Sequence, residues 1–265
     1  MSRHFRFFLL VAICFLTERT TSAEPRSFMG RQIAPTMSAS GAEWLTRKSR
    51  EQEEQPRLLL AALELNKGQH VCDFGCGNGY YSLELARRVG PQGTVLAIDI
   101  QQEMLDLLEA RAKPRGLNNI RPILATLTNP QLPTGKLDLV LMVDVYHELT
   151  HPAEILQAVR QSLCETGRLV LVEFRAEDPD VPILPLHKMS QAQVMNEITT
   201  NGFKLVGQFD KLPWQHVLFF ARNDASLPVV RLIPWSPKVP NGAKVSEFPV
   251  VSPSGPPPAV GLKSP

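Results

Sequence analysis

Cysteine, excess charge and long apolar runs are all scarce in this 265-residue sequence, and each scarcity excludes a class of protein. Once Cys14 is removed with the leader described below, Cys72, Cys76 and Cys164 remain, an odd number that gives no disulfide framework. The 28 basic and 26 acidic residues leave a formal net charge of +2, which argues against a nucleic-acid or anionic-membrane partner.

The apolar run Phe7–Leu16 is too short to span a bilayer and has the layout of a secretory signal. Basic residues precede this run, and the small residues Thr21–Ala23 offer a cleavage site after Ala23. We expect residues 1–23 to be a cleaved signal peptide, so that the protein is exported (periplasmic or secreted) and keeps no stable membrane domain. An uncleaved signal would leave the protein membrane-tethered, and a start at Met29 or Met37 would leave it cytoplasmic.

Short apolar strands alternate with amphipathic helices from His70 to Arg222, a pattern typical of a parallel sheet covered on both faces. The last two strands follow one another without a helix, which predicts that the final strand is antiparallel. The sequence therefore predicts an α/β fold with a doubly wound, seven-stranded, mostly parallel sheet. The strands are expected at 70–74, 94–98, 120–124, 137–143, 168–174, 203–209 and 216–222, and the helices between them at 80–89, 102–113, 152–163 and 191–201.

Two flanking regions differ in composition from this core, which we place at residues 66–222. Residues 24–65 are predicted to form an N-terminal helical cap, with a charged helix over 44–55 and a second helix that begins at Pro56. Residues 223–265 are rich in Pro, Gly and Ser and are predicted to form a disordered or extended tail, because proline neither continues a helix nor donates to a sheet.

The segment VCDFGCGNGYY follows the first predicted core strand and opens a helix. Gly75, Gly77 and Gly79 allow backbone angles closed to other residues and let a ligand approach the chain closely. Their spacing, G-x-G-x-G after Asp73, differs from the dinucleotide fingerprint G-x-G-x-x-G. An acid here would repel a pyrophosphate but suits a ligand with an ammonium and a sulfonium. Asp99, at the end of the next strand, can accept both hydroxyls of a ribose.

Together with AIDI, LDLVLMVDVYHEL and GRLVLVEF, this loop resembles that of a class I S-adenosylmethionine-dependent methyltransferase of the small-molecule type, similar to the quinone C-methyltransferases. The resemblance covers about residues 66–222. It implies a Rossmann-like fold, S-adenosylmethionine as the cofactor and a small-molecule substrate. It implies cofactor contacts at Asp73, Gly75, Cys76, Gly77, Gly79, Asp99, Ile100, Thr126 and Asp144. Many relatives place an acid for the adenine amine where this chain has Thr126.

His147, Glu148 and His151 spell H-E-x-x-H, the zinc-protease signature, which needs a helix so that both histidines face one metal. Here a predicted strand runs to Val143, and Pro152 opens the next predicted helix directly after His151. The signature then falls in a strand-to-helix loop. We therefore expect neither a metal site nor zinc hydrolase activity.

This loop neighbours the glycine loop in the predicted sheet, and the resemblance implies that it faces the methyl donor. Asp144 and Tyr146 are expected to line the boundary between cofactor and substrate. His147 is a candidate general base for a hydroxyl or amine acceptor; alternatively, it only holds the loop by hydrogen bonds. Substrate contacts are expected from two segments that cap the carboxyl edge of the sheet. Their candidate residues are Trp44, Arg50, Arg175 and His187.

A second class of function stays open at this point. S-adenosylmethionine is made inside cells, so an exported chain could use the fold to bind a nucleoside or another metabolite without methyl transfer. The presence of Asp73 and Asp99 favours the enzyme. The sequence specifies neither the methyl acceptor nor the oligomeric state.

Overall fold

The computed structural model describes residues 27–237, and its centre is a mostly parallel sheet. Numbered along the chain, its strands are, in spatial order, β5 (Ile120–Leu124), β4 (Thr94–Asp99), β3 (His70–Phe74), β6 (Leu137–Val143), β7 (Leu163–Arg175), β10 (Gln215–Arg222) and β9 (Phe203–Phe209). Among these strands, β10 runs antiparallel to both of its neighbours, β7 and β9. A two-residue strand, β8 (Lys188–Met189), pairs with the end of β7.

Helices cover both faces of the sheet because successive side chains of each strand point to opposite sides. On β6, Leu139 and Leu141 pack with the helices of one face, while Val140 and Met142 pack with those of the other. All four side chains are fully buried. The helices of the first face are α2 (Pro56–Ala62), α3 (Tyr80–Val89) and α4 (Gln102–Ala112), and those of the second are α5 (Pro152–Ser162) and α6 (Gln191–Thr200).

The predicted fold class is confirmed: all seven predicted strands are present, and the last strand is antiparallel. One strand is longer than expected, because β7 starts at Leu163 and not at Arg168. The added residues carry a register shift against β6, between Leu137 and Leu139. A pattern based on apolar runs could not include this start, which contains Glu165, Thr166 and Gly167.

The N-terminal segment is less helical than predicted. It starts with a short hairpin of β1 (Ser27–Phe28) and β2 (Arg31–Gln32). The continuous helix expected over 44–55 is wrong: a 3₁₀ stretch, Ala39–Thr46, precedes the four-residue α1 (Arg50–Glu53). The backbone leaves helical geometry at Arg47, with ψ of 144°, and at Gln55, with φ of +48°. Proline after Gln55 disfavours the helical region at that residue.

The first part of the predicted tail, residues 223–237, has no helix or strand and lies against the core. The N–H of Val230 donates to the carbonyl of Leu205 at 3.0 Å, and the N–H of Trp235 donates to Oε1 of Gln191 at 2.8 Å. The rest of the predicted tail and the predicted signal peptide fall outside the described residues. Within the described part of the chain, no helix is long and apolar enough to cross a membrane.

Candidate active site

A cleft of about 1030 Å³, part of it open to solvent, lies at the carboxyl edge of the sheet. Its floor is formed by the loops that follow β3, β4, β5 and β6, and its cover by side chains between Thr36 and Arg50. Open α/β sheets bind nucleotide-like ligands at the carboxyl ends of their strands, so the cleft has the place of such a site.

The glycine loop and Asp99 form one hydrogen-bonded unit on the floor of the cleft. The N–H of Gly77 donates to Oδ2 of Asp99 at 2.9 Å, and the N–H of Gln101 donates to Oδ1 at 3.0 Å. Burial raises the pKa of Asp99, and these backbone donors oppose the rise. Each carboxylate oxygen keeps a further lone pair. The carboxylate is thus held in one orientation while it can still accept hydrogen bonds from a ligand.

Gly75 and Gly77 line the cleft in the left-handed backbone region, with φ of +70° and +51°. A Cβ at Gly75 would lie 2.6 Å from Val145, and a Cβ at Gly77 would lie 2.6 Å from Leu45. These positions therefore require glycine both for the backbone angle and for the close approach of the neighbouring loop and of the N-terminal segment.

Three residues that were predicted to bind the cofactor lie outside the walls of the cleft. Asp73 is buried and accepts a 2.6 Å hydrogen bond from Oγ of Ser82 on α3. Cys76 packs beside α4, and Gly79 is the N-cap residue of α3, where a Cβ would lie 2.6 Å from Leu108. These residues fasten the glycine loop to the helices behind it, so Asp73 is not the acid that faces the ligand space.

Ile100 and Thr126, which were predicted to bind the cofactor, line the cleft at the end opposite the β6 loop. Ile100 and Leu127 are 39% and 44% exposed, which is unusual for such apolar side chains in a cleft wall. The Oγ1 of Thr126 accepts the N–H of Asn129 at 3.0 Å and so belongs to a local turn. This end offers two apolar surfaces and few free polar groups, which suits a flat aromatic base.

Asp144 and Arg50 bring a carboxyl group and a guanidinium to the wall of the cleft. Oδ2 of Asp144 accepts a 2.7 Å hydrogen bond from Gln215, while Oδ1 has no partner among residues 27–237. Burial, then the charge of Glu54, raises the pKa of Asp144 well above its ordinary range, and Arg50 opposes this rise. Buried polar atoms are normally hydrogen-bonded. The unpartnered Oδ1 therefore marks a position where a donor group of a ligand would complete the hydrogen bonding, and the guanidinium of Arg50 lies in the same wall.

The H-E-x-x-H residues do not share a helix. His147 lies in a 3₁₀ turn, Tyr146–Glu148, which connects β6 to α5. His151 is the N-cap residue of α5, where its Nδ1 lies 2.9 Å from Oγ1 of Thr150. The strand-to-helix loop predicted from the sequence is confirmed, and the metal geometry of a zinc-protease helix is absent from this segment.

A buried series of contacting side chains begins on β7 and continues through this turn. Oε2 of Glu173 lies 2.6 Å from Nδ1 of His147, and Oε1 accepts the N–H of Tyr146 at 3.0 Å. The other nitrogen of His147, Nε2, lies 3.1 Å from Nδ1 of His187. His147 and Glu148 line the cleft, whereas His187 lies behind them.

Burial and the neighbouring charges shift the pKa values of His147, His187 and Glu148. Burial disfavours the imidazolium of His147, but the carboxylate of Glu173 outweighs burial, and the pKa of His147 is raised. Burial, and next the charge of His147, lower the pKa of His187 to about 4. Burial raises the pKa of Glu148 to about 7, against the opposing charge of His147. His147, paired with Glu173, is thus the more basic of the two linked histidines.

Two residues that were predicted to contact substrate or cofactor are directed elsewhere. Tyr146 is fully buried, and its hydroxyl donates to Oε2 of Glu197 on α6 at 2.9 Å. Arg175 is also buried, and it donates to the carbonyl oxygens of Pro213 and Leu212 at 2.9 and 3.0 Å. Both side chains join elements around the cleft without lining it. Trp44 and Arg50, the other two candidates for substrate contact, do line the cleft.

Glu173 is the residue of this site that the sequence-based prediction missed. It stands inside the apolar run LVLVEF on β7 and is 0% exposed. A carboxylate in a buried strand is costly unless it is paired, so an acid within such a run was itself a signal of a buried partner. The sequence could not identify His147 as that partner, because 26 positions separate the two residues.

The profile of a family described as "Methyltransferase domain" matches residues 65–222, which is more than half of the chain. The chain belongs to this methyltransferase family. Membership confirms the class that the glycine loop and Asp99 had indicated, and with it S-adenosylmethionine as the cofactor of the fold.

Known relatives of this methyltransferase domain share parts of it. A nocamycin O-methyltransferase of Saccharothrix syringae is 38% identical over 84 residues, 32% of this chain and 30% of the relative. A ubiquinone/menaquinone biosynthesis C-methyltransferase of Pseudomonas entomophila is 30% identical over 119 residues, 44% of this chain and 46% of the relative. The chain therefore spans less than half the length of these curated relatives.

Among solved structures, a SAM-dependent methyltransferase from Aquifex aeolicus has a similar fold, with a TM-score of 0.66 and 24% identity. The similarity covers 70% of this chain and 98% of that one. At this identity the likeness concerns the fold alone, and it agrees with the doubly wound sheet described above.

Proposed function

We propose that this protein transfers the methyl group of S-adenosylmethionine to a small-molecule acceptor bound in the cleft. The observation that carries the proposal is the 2.9 Å hydrogen bond from the N–H of Gly77 to Asp99, which joins the glycine loop to this carboxylate. When bound, S-adenosylmethionine supplies an electrophilic methyl group on a sulfonium sulfur. The contribution of the chain is to bind, orient and exclude water.

The residues of the cleft match the parts of this cofactor in order. Asp99 has lone pairs available for the two ribose hydroxyls, and the apolar surfaces of Ile100 and Leu127 can hold the base between them. The amino-acid end carries an ammonium and a carboxylate, which suit the free Oδ1 of Asp144 and the guanidinium of Arg50. The cleft thus offers a complementary group for each part of the ligand.

The acceptor is expected between this cofactor position and the N-terminal segment. Met37, Trp44 and Phe174 give that space apolar walls. Orientation of two reactants in such a space can remove about 7–11 kcal/mol of the barrier, so methyl transfer does not require a dedicated catalytic residue. Where the acceptor is a hydroxyl or an amine, His147 can take its proton only through Nε2, because Glu173 holds Nδ1. Nε2 must then give up its 3.1 Å contact with Nδ1 of His187.

The names of the two relatives show why the acceptor atom stays unassigned. One is an O-methyltransferase and the other a C-methyltransferase, although both match this chain at 30% identity or more. Methylated atom and substrate therefore vary among similar chains, and the shared cofactor site carries the proposal.

The test is calorimetric titration of the purified chain with S-adenosylmethionine and S-adenosylhomocysteine. Asp99→Ala should weaken both ligands by at least about 100-fold, since each of the two charge-assisted hydrogen bonds to the ribose contributes about 1.5–3 kcal/mol. Asp106→Ala, an exposed acid on α4, is the matched control and should bind as the unaltered chain does. Absence of binding by the folded, unaltered chain, or equal affinity in Asp99→Ala, would overturn the proposal.

A further inference from the structure

Three side chains beside the cleft have the composition and spacing of a metal site. Nε2 or Nδ1 of His147 and His187 and a carboxylate oxygen of Glu148 supply one ligand atom each, and these atoms lie within 4.8 Å of one another. We propose that His147, Glu148 and His187 bind a divalent first-row transition ion of the zinc type. The proposal rests on the geometry of this cluster and does not depend on methyl transfer.

The distances between the ligand atoms are close to those of a coordinated ion. Nε2 of His147 and Nδ1 of His187 are 3.1 Å apart. On a tetrahedral ion with metal–nitrogen bonds of about 2.0–2.1 Å, two such nitrogens lie about 3.3 Å apart. Oε1 of Glu148 is 3.9 Å from each nitrogen and needs to approach by roughly 0.5 Å to complete the set.

Glu173 already orients the first histidine as metal sites require. Its Oε2 lies 2.6 Å from Nδ1 of His147, so this nitrogen donates a hydrogen bond to the carboxylate, and the lone pair for an ion is on Nε2, which faces Nδ1 of His187. Metal-bound histidines commonly make this contact through the nitrogen that does not touch the ion. The carboxylate, the imidazole and the proposed ion position therefore follow one another in a line of contacts.

The charge around the cluster also favours a cation. Glu148 and Glu173 bring two carboxylates into a buried region, with side chains 12% and 0% exposed. The guanidinium of Arg31 donates to the carbonyl of His147 at 3.0 Å but forms its ion pair with Glu197, at 2.8 Å. Glu173 pairs with His147, so the carboxylate of Glu148 is the one left to bind a cation.

The cluster has access to the ligand space. His147 and Glu148 line the cleft, so an ion held by three side chains would direct its open coordination positions toward it. Such an ion would occupy the lone pair of Nε2, and His147 would then not accept a proton through that atom. The charge of the ion would instead favour the deprotonated form of an oxygen acceptor bound to it.

This ligand set differs from the zinc-protease signature in one member. It uses His147 and Glu148 of the H-E-x-x-H sequence, but replaces His151 by His187, which lies in the 3₁₀ turn Pro185–His187 before β8. The expectation of no metal considered only the pair four residues apart. The fold brings the other histidine to the same place from 40 positions further along the chain.

Substitution of His187 and substitution of His151 should therefore have opposite effects on metal binding, and one experiment can compare them. The tag-free, full-length chain is freed of metal with a chelator and titrated with CoCl₂, because Co²⁺ bound by nitrogen and oxygen ligands gives visible d–d absorption. We expect one Co²⁺ per chain, displaced by Zn²⁺, which binds such sites more tightly. His187→Gln and Glu148→Gln should abolish the visible band, and His151→Gln should retain it. Glu173→Gln should weaken Co²⁺ about 10–100-fold.

The proposal is overturned if the folded, unaltered chain shows no visible band, or if the band survives His187→Gln. It is equally overturned if His151→Gln abolishes the band. Circular dichroism establishes that each variant is folded; if His187→Gln is not, Glu148→Gln and the stoichiometry of the unaltered chain decide. A parallel titration with S-adenosylmethionine keeps the two proposals apart, because either ligand can bind while the other fails.

Discussion

The backbone N–H of Gly77 donates a 2.9 Å hydrogen bond to the carboxylate of Asp99, and this contact joins two strands that are neighbours in the sheet. The glycine loop follows β3, and Asp99 ends β4, so the bond fixes the loop relative to the carboxylate. Any change that displaces one of them should therefore displace the other. This coupling makes backbone geometry at Gly77 as important for the proposed cofactor as the acid itself.

Gly77→Ala should reduce both stability and affinity for S-adenosylmethionine. The left-handed backbone costs alanine about 1–2 kcal/mol. A Cβ 2.6 Å from Cδ1 of Leu45 also makes the end of that flexible side chain shift in the wall of the cleft. Gly116→Ala is the matched control, because its φ of +64° is similar and its Cβ would meet open space. Urea unfolding and calorimetry measure stability and affinity. Both variants should lose stability, and only Gly77→Ala should lose affinity; equal affinities in the two variants would contradict the coupling.

Asp73→Asn should change the pH dependence of stability. Burial raises the pKa of Asp73 to about 6 from an ordinary 3.8, and the hydrogen bond from Ser82 only partly offsets burial. The folded chain thus holds this proton more tightly than the unfolded chain. The contribution of Asp73 to stability is complete below pH 3.8 and is lost as the pH rises through about 6.

Asparagine keeps an acceptor for Ser82 but carries no charge. Asp73→Asn should therefore leave the free energy of unfolding nearly unchanged at about pH 4 and raise it by about 2–3 kcal/mol at about pH 8. Urea unfolding at the two pH values measures this difference. Asp106→Asn, an exposed acid, should show none. A gain for Asp73→Asn that is the same at both pH values would refute the assignment.

Glu54→Ala should destabilise the N-terminal segment strongly. Glu54 is 0% exposed and pairs with Arg50 at 2.8 Å, and its removal leaves a buried guanidinium without its partner. Breaking a buried pair from one side costs about 3–5 kcal/mol. Glu51→Ala removes the exposed pair with Arg57 and should cost less than about 1 kcal/mol. If the two variants lost similar free energies of unfolding, the buried pair would contribute no more to stability than the exposed one, contrary to this prediction.

Tyr146→Phe should leave cofactor binding unaltered and lower stability. The hydroxyl of Tyr146 donates to Glu197 at 2.9 Å, away from the cleft, so its loss should cost about 1–2 kcal/mol. Affinity for S-adenosylhomocysteine should stay within about twofold of the original value. Thermal unfolding and calorimetry measure the two quantities, with Tyr80→Phe as a control for the removal of a less buried hydroxyl. A large loss of affinity in Tyr146→Phe would restore its predicted place at the cofactor.

Export remains a proposal, and it predicts a defined product. If residues 1–23 are a signal peptide, the exported protein should begin at Glu24, and intact-mass measurement of the exported fraction should show that mass. Leu10→Arg interrupts the apolar run and should retain the chain in the cell. Recovery of the uncleaved chain in the cytoplasm would contradict the proposal and remove the difficulty that the cofactor is made inside cells.

The strands and the glycine loop could be predicted because local patterns specify them. The run LDLVLMV is apolar at every position but Asp138, which is what a strand buried on both faces requires. The three glycines each need a positive φ, and the structure shows all three. In both cases the physical constraint lies within a few residues of sequence.

The arrangement of the charged residues could not be predicted in this way. Arg175 and His187 had been expected at the substrate, but carbonyl oxygens of the loop before β10 surround Arg175, and His147 contacts His187. A charged side chain in a loop has the same local sequence whether it meets ligand, backbone or another side chain. The partner is chosen by tertiary packing, which no spacing rule records.

The cover of the cleft is tied to parts of the chain that are made much later. Arg31 pairs with Glu197, Ala34 donates its N–H to the carbonyl of His147, and Asn78 donates to the carbonyl of Ala42. During synthesis from the N-terminus, the segment that includes Arg31 has no partner until Glu197 has emerged. Contacts so distant in sequence form only after a long loop has closed, and this closure costs conformational entropy before the contacts stabilise the fold. The first part of the described chain to be made is therefore expected to be among the last to fold, and the ligand site closes only when the rest of the sheet is complete.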